Sequence, residues 1–99
     1  MTESTGPLTQ DKLSAIALIT NKRGLHARAS AKVVEAAARF QSEITIIKDG
    51  QRVNARSIMG LMMLAASLGS EIAIEAQGPD APAAMTAMLA LIEAKFGEE

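Results

Sequence analysis

The sequence predicts an α+β domain with the element order β-α-β-β-α-β-α: an open-faced sandwich of one four-stranded antiparallel sheet with three helices on one face. Three observations carry this. Residues 27–40 and about 81–96 place apolar side chains three and four apart, the spacing of an amphipathic helix. Asp49-Gly50 stands between two β-branched runs and signals a type I′ hairpin, whose two central residues both need positive φ. Glu71-Ile72-Ala73-Ile74-Glu75-Ala76 alternates polar and apolar, as a strand covered on one side does. A sheet with all its helices on one side satisfies every one of these patterns.

In chain order, residues 1–12 are polar, contain Gly6-Pro7 and show no periodicity. They are expected to form a flexible leader to a single domain over residues 13–99. From Leu13 to Thr20, Ala15, Ala17 and Ile19 lie opposite Ser14, Ile16, Leu18 and Thr20. With apolar residues on both faces, this strand is expected to be buried or nearly so on both. Asn21-Lys22-Arg23-Gly24 is the loop that follows. The first helix runs from Ala27 to Phe40, with Ala29, Val33, Ala36, Ala37 and Phe40 inward and Arg28, Lys32, Glu35 and Arg39 outward. Glu43–Ile47 and Arg52–Asn54 are the two arms of the hairpin. Ser57 is a favoured N-cap for a short helix through Leu64. That helix is dense in apolar residues, so either it is buried all round or one side, Ile58, Met59 and Met62, forms an exposed, adaptable patch for a partner. Leu68-Gly69-Ser70 turns the chain into the last strand. Asp80 is expected to cap a final helix reaching about Phe96, with Met85, Met88, Leu89, Ile92 and Phe96 buried and Gly97 as its stop.

Composition narrows the function. Apolar residues make up 48% of the 99 and charged residues 21%, enough for one ordered core. There are two Phe and no Trp or Tyr, which argues against sheets and barrels that stack nucleic-acid bases on aromatic rings. The absence of cysteine excludes disulfides, thiolate catalysis and cysteine-bound zinc, and one histidine cannot build an ordinary histidine-rich metal site. No metal or cofactor is expected. No apolar run approaches the roughly 20 residues of a membrane span. The N-terminal stretch lacks the basic and apolar parts of a signal peptide, so a cytoplasmic location is expected. The net charge of −1 is unevenly spread. Lys22, Arg23, Arg28, Lys32 and Arg39 against Glu35 give residues 20–39 a local +4, whereas Glu71, Glu75, Asp80, Glu93, Glu98 and Glu99 against Lys95 give residues 70–99 a local −5. The basic end suits acidic proteins or phosphoryl groups better than nucleic acid.

The segment Gly24-Leu25-His26-Ala27-Arg28-Ala29-Ser30 holds the sole histidine, where a strand hands over to a helix. A helix N-terminus presents backbone N–H groups without internal partners and a partial positive charge of about half an electron. An anion placed there is stabilised directly. His26 supplies a nucleophile, Arg28 a planar cation suited to phosphate oxygens, and Gly24 a tight turn just before them. By spacing alone, an incidental capping histidine is the commoner reading.

Taken together, Gly24-Leu25-His26-Ala27-Arg28, the hairpin, the Ser57-Ile58-Met59-Gly60-Leu61 helix and the element order resemble the HPr family, the histidine-containing phosphocarriers of the bacterial phosphoenolpyruvate-dependent phosphotransferase system. The resemblance runs from about Leu13 to Phe96. It implies that His26 accepts a phosphoryl group from phospho-enzyme I on Nδ1 and passes it to an enzyme IIA protein. In that reading Arg28 contacts the phosphoryl group, and the backbone N–H groups of Ala27 and Arg28 cradle it at a solvent-exposed site. Ile58, Met59 and Met62 match positions that dock partners, and Ser57 matches the serine that HPr kinase/phosphorylase modifies in some bacteria. The chain would then be a monomeric carrier with a covalent phosphohistidine rather than a stand-alone enzyme. Many relatives have Pro where this chain has Ala29, which would pre-set the first helical turn. Two alternatives are a regulatory module whose phosphorylation state is read by its partners and an unrelated anion-binding α+β domain. A nitrogen-related branch, relaying phosphate to a regulatory IIA protein, would combine carrier and regulator.

Overall fold

Four antiparallel strands, β1 (Leu13–Leu18), β2 (Glu43–Lys48), β3 (Gln51–Asn54) and β4 (Glu71–Gln77), form one sheet in the order β1-β4-β2-β3 in the computed structural model, which describes residues 12–98. The expected leader falls outside the described residues except for Lys12. Helix α1 (Ala27–Ala37) lies between β1 and β2 in the chain, α2 (Ile58–Met63) between β3 and β4, and α3 (Ala81–Glu93) after β4. A 3₁₀ turn over Lys95–Gly97 follows α3. The element order is the one the periodicities predict, and the hairpin is where Asp49-Gly50 places it, with φ of 51° and 80° at its two residues.

β4 lies between β1 and β2, pairing Ala15 with Ile74 on one side and Ile46 with Ile74 on the other. One sheet face carries Ile44, Ile46, Ile72, Ile74 and Ala76, all buried beneath the helices. α3 packs on β1 and β4, and α1 lies against α2 and α3. Leu25, Val33, Leu61, Met88, Ile92 and Phe96 close the core from the helical side.

The other sheet face is open, and this corrects the expectation for β1. Ile16 is 64% exposed and Leu18 53%. Only Leu13, Ala15 and Ala17 turn toward the core. Apolar alternation on both faces of a strand reports no partner for the second face, and here all three helices lie on the first.

The expected final helix also needs correction. Asp80 stands at the N-cap of α3 but makes no side-chain cap bond. Its carboxylate instead accepts from the backbone N–H groups of Gln41 (3.0 Å) and Ser42 (2.9 Å) and from the Ser42 hydroxyl, tying the loop after α1 to the start of α3. The Ser42 hydroxyl and the Gln41 N–H hold that carboxyl below its ordinary value. The helix ends at Glu93 rather than reaching Phe96. Phe96 is buried as expected, at 1% exposure, but on the 3₁₀ turn with φ of 57°.

Candidate functional site

The loop between β1 and α1 is fastened at both ends. Ile19 N–H donates to the Ser70 carbonyl (2.9 Å) and Leu25 N–H to that of Ala66 (2.9 Å). Gly24, with φ of 62°, passes so close to the 66–67 backbone that a Cβ there would lie 2.3 Å from the Ala66 oxygen. The Leu25 side chain enters the core, and its carbonyl accepts from the buried Ser30 hydroxyl at 3.1 Å. His26 is therefore held between a buried Leu25 and a fully buried Ala29.

His26 is the N-cap residue of α1, with an extended backbone (φ −77°, ψ −177°), as its place in the sequence predicts. Its carbonyl accepts the first helical hydrogen bond, from Ser30 N–H at 2.8 Å. The N–H groups of Ala27, Arg28 and Ala29 are consequently without partners inside the helix. The histidine side chain makes no cap bond to them and α1 has no acidic residue in its first turn, so this end keeps its positive character. Arg28 is exposed on the first turn. A shallow, open cleft beside it is lined by Lys22, Arg23, Arg28, Lys32, Gly97 and Glu98, four cations to one carboxylate. The arrangement can hold an anion against the imidazole.

One neighbour was not foreseen. Glu98 Oε2 lies 2.5 Å from His26 Nε2, and the two side chains are only 14% and 18% exposed. The site is thus half covered by the end of the chain rather than fully open. The second Glu98 oxygen accepts from the fully buried Asn21 Nδ2 at 3.0 Å, and the same amide donates to the Gly24 carbonyl at 2.9 Å. The Asn21 hydrogen bond, followed by the bond and charge of His26 and the charge of Arg23, holds the Glu98 carboxyl below its ordinary value; partial burial opposes them. Lys32 Nζ donates to the Phe96 carbonyl at 2.6 Å. By its spacing Lys32 is only an outward cation, and Asn21 only a loop residue. The contacts join residues 64 to 77 positions apart, for which no local pattern exists.

The second expected site lies on α2. Ser57 is its N-cap, and the Ser57 hydroxyl oxygen accepts from Gly60 N–H at 2.9 Å. Ile58 is 43% exposed, Met59 72% and Met62 43%, as expected, and Met63 and Leu68 extend the apolar surface at 66% and 56%. Among the described residues no group of three His, Cys, Asp or Glu side chains is placed to hold a metal ion, and no helix is long and apolar enough to cross a membrane.

Known proteins resemble this chain over most of its length. The family model described as "PTS HPr component phosphorylation site" matches residues 13–94. The phosphocarrier protein HPr of Cupriavidus necator is 54% identical over 80 residues, covering 81% of this chain and 90% of that protein. The phosphocarrier protein NPr of Shewanella violacea is 44% identical over 87 residues, covering 88% and 96%. The crystal structure of HPr-C-His from Thermoanaerobacter tengcongensis superposes with a TM-score of 0.85 at 46% identity, covering 88% of this chain and 98% of that one. On the matched motif, the sheet order and these identities, the chain belongs to the HPr family of phosphocarrier proteins.

Proposed function

We propose that His26 is the residue that carries the phosphoryl group, taking it on Nδ1 from phosphorylated enzyme I and giving it to an enzyme IIA protein. The observation that carries this reading is the placement of His26 as the N-cap of α1 without a cap bond of its own. A phosphoryl group on the ring would face the free N–H groups of Ala27 and Arg28 and the Arg28 guanidinium, donors already in place before charge arrives. The half-covered, shallow setting suits a carrier, which must release the group as readily as it binds it. The basic cleft would steer acidic partners over a Debye length of about 8 Å.

In this reading Ile58, Met59 and Met62 dock both partners, with Met63 added by its exposure. Ser57 is a site for HPr kinase/phosphorylase. A phosphate on its hydroxyl would keep negative charge at a helix start while setting about −1.5 to −2 charges against the apolar patch. The exposure of that patch also supports a second reading, in which partners dock on α2 and read the phosphorylation state as a signal. The likeness to the NPr of Shewanella violacea is compatible with a nitrogen-related relay that does both.

The test is intact-mass measurement after incubation with phosphoenolpyruvate, magnesium and active enzyme I. Wild type and Ser57→Ala should gain an acid-labile phosphoryl adduct and His26→Ala should not. A folded His26→Ala protein that still accepts the group removes His26 from the role.

A further inference from the structure

The His26–Glu98 contact does more than fasten the chain end. We propose that Glu98 is the positioning residue of His26: its carboxylate holds the ring with the proton on Nε2 and leaves Nδ1 as the lone-pair nitrogen. This rests on the reading of His26 as phosphoryl acceptor and adds how the acceptor nitrogen is chosen.

The contact is built from both sides. An ionised carboxylate can only accept hydrogen bonds, so the nitrogen facing Glu98 Oε2 at 2.5 Å must be the one bearing hydrogen. Glu98 is in that ionised form at neutral pH because Asn21, His26 and Arg23 all favour its charge. Its second oxygen accepts from Asn21 Nδ2, itself fully buried and fastened to the Gly24 carbonyl, so both carboxylate oxygens are engaged and the one facing the ring is held toward it. The backbone leading to Glu98 is equally determined. Lys95 and Phe96 both have φ of 57°, a left-handed conformation disfavoured for residues with a Cβ. It is held by the buried Phe96 ring and by Lys32 on the Phe96 carbonyl. Strained backbone pinned at three points delivers one carboxylate oxygen to one ring nitrogen. The ring makes no cap bond to the start of α1, so Nδ1 is not engaged there.

The chemistry then needs no proton transfer. The Nδ1 lone pair attacks the phosphorus of the phosphorylated donor, an N–P bond forms, and the donor's bond to phosphorus breaks with its electron pair leaving on the donor. The Nε2 proton stays where it is, so the ring becomes a phosphorylated imidazolium whose positive charge faces the Glu98 carboxylate. On delivery, the N–P electron pair returns to Nδ1, phosphorus bonds to the acceptor nucleophile, and the ring is neutral again with the same proton on Nε2. A carboxylate opposite the reacting nitrogen supports the cation without standing beside the phosphoryl oxygens.

The chain's single histidine makes the test unambiguous. Protein labelled with ¹⁵N-histidine is observed at about pH 8.5, where an ordinary imidazole is neutral. The wild type should show one tautomer, protonated on Nε2, with that proton visible and slow to exchange. Glu98→Ala should lose the visible proton and gain a share of the Nδ1-protonated form. With phospho-enzyme I as donor, Glu98→Ala should lower kcat about tenfold, the scale on which removing a histidine's orienting partner acts, and leave KM unchanged. A contact that only fastens the chain end would let the amides of Lys95–Gly97 exchange faster in Glu98→Ala while ring shifts and kcat stay as in the wild type; that result overturns the proposal. An Nδ1-protonated wild type overturns it too. A wild type with the Nε2 proton that accepts no phosphoryl group from active enzyme I overturns the carrier reading instead, and the positioning role with it, so the unphosphorylated spectrum tells the two failures apart.

Discussion

Gly24→Ala should be among the most damaging single-methyl changes in this molecule, and its cost can be divided. The new Cβ would sit 2.3 Å from the Ala66 oxygen and 2.7 Å from the Ser67 Cα, both backbone atoms that cannot rotate away. Its φ of 62° is a second penalty, about 1–2 kcal/mol for a residue with a Cβ. Relieving the overlap requires the 24–26 segment or the 66–67 segment to shift, on the order of 1–3 kcal/mol for overpacking. The stiffer unfolded chain returns about 0.4–1 kcal/mol. The sum is a loss of about 1–4.5 kcal/mol, with a centre of about 3 kcal/mol. Gly50→Ala is the matched control, with φ of 80° and nothing within 4 Å of its Cβ, so it should lose the φ part less the same unfolded-chain return, about 1 kcal/mol. Urea unfolding followed by far-UV circular dichroism is the assay, since the chain has no Trp or Tyr to report by fluorescence. At a slope of about 1–1.5 kcal/mol per molar urea, the central loss of about 3 kcal/mol should lower the Gly24→Ala midpoint by about 2–3 M, and Gly50→Ala should lower it by under about 1 M. Equal midpoints for the two variants would refute the claim that the 66–67 backbone closes on Gly24.

Arg28→Ala should slow phosphoryl acceptance about ten- to hundredfold without abolishing it, measured by rapid quench with enzyme I; a wild-type rate removes Arg28 from the site. Ser57→Asp should raise KM for phospho-enzyme I severalfold at unchanged thermal stability, because Asp is as good an N-cap as Ser while its charge faces the apolar patch; an unchanged KM counts against Ser57 as a switch. Asp80→Ala should flatten the acid limb of stability. The folded-state value of Asp80 is lowered by Ser42 and Gln41, so its contribution is present above the ordinary carboxylate value of about 4 and is lost as pH falls through the lowered one. Urea midpoints taken from neutral pH downward should fall less steeply in the variant, and parallel curves would contradict the Asp80 assignment.

The fold was legible because its signals are local. The α1 stripe, the Asp49-Gly50 turn and the Ser57 cap each lie within a few residues of what they determine, and the motif placed His26 at the N-cap where the structure has it. What escaped is non-local. Asp80 has the composition of a helix cap but spends its carboxylate on Ser42, 38 positions away. Arg56, unremarked in the sequence, donates to the Ala37 and Phe40 carbonyls and so closes the end of α1. Ile16 and Leu18 read as buried because hydropathy alone does not say which sheet face the helices take. Glu98 follows a glycine near an acidic chain end, a setting that looks like a solvated tail, and only the left-handed turn at Lys95 and Phe96 carries it back to the histidine.

The pairing of β1 with β4 alone has a consequence for the moment at which this protein becomes active during its synthesis. The motif lies in the first third of the chain, yet four of the contacts that shape it come from the last half. The Ala66 carbonyl receives Leu25, Ser70 receives Ile19, residues 71–76 hold β1 in register, and Glu98 meets the ring. A ribosome adding about 5–20 residues per second needs several seconds to travel from His26 to Glu98. For that interval the histidine is translated but has no β4 beneath it and no carboxylate beside it. In the proposed carrier reading, the site around His26 is therefore assembled only after residues 66–98 have been made.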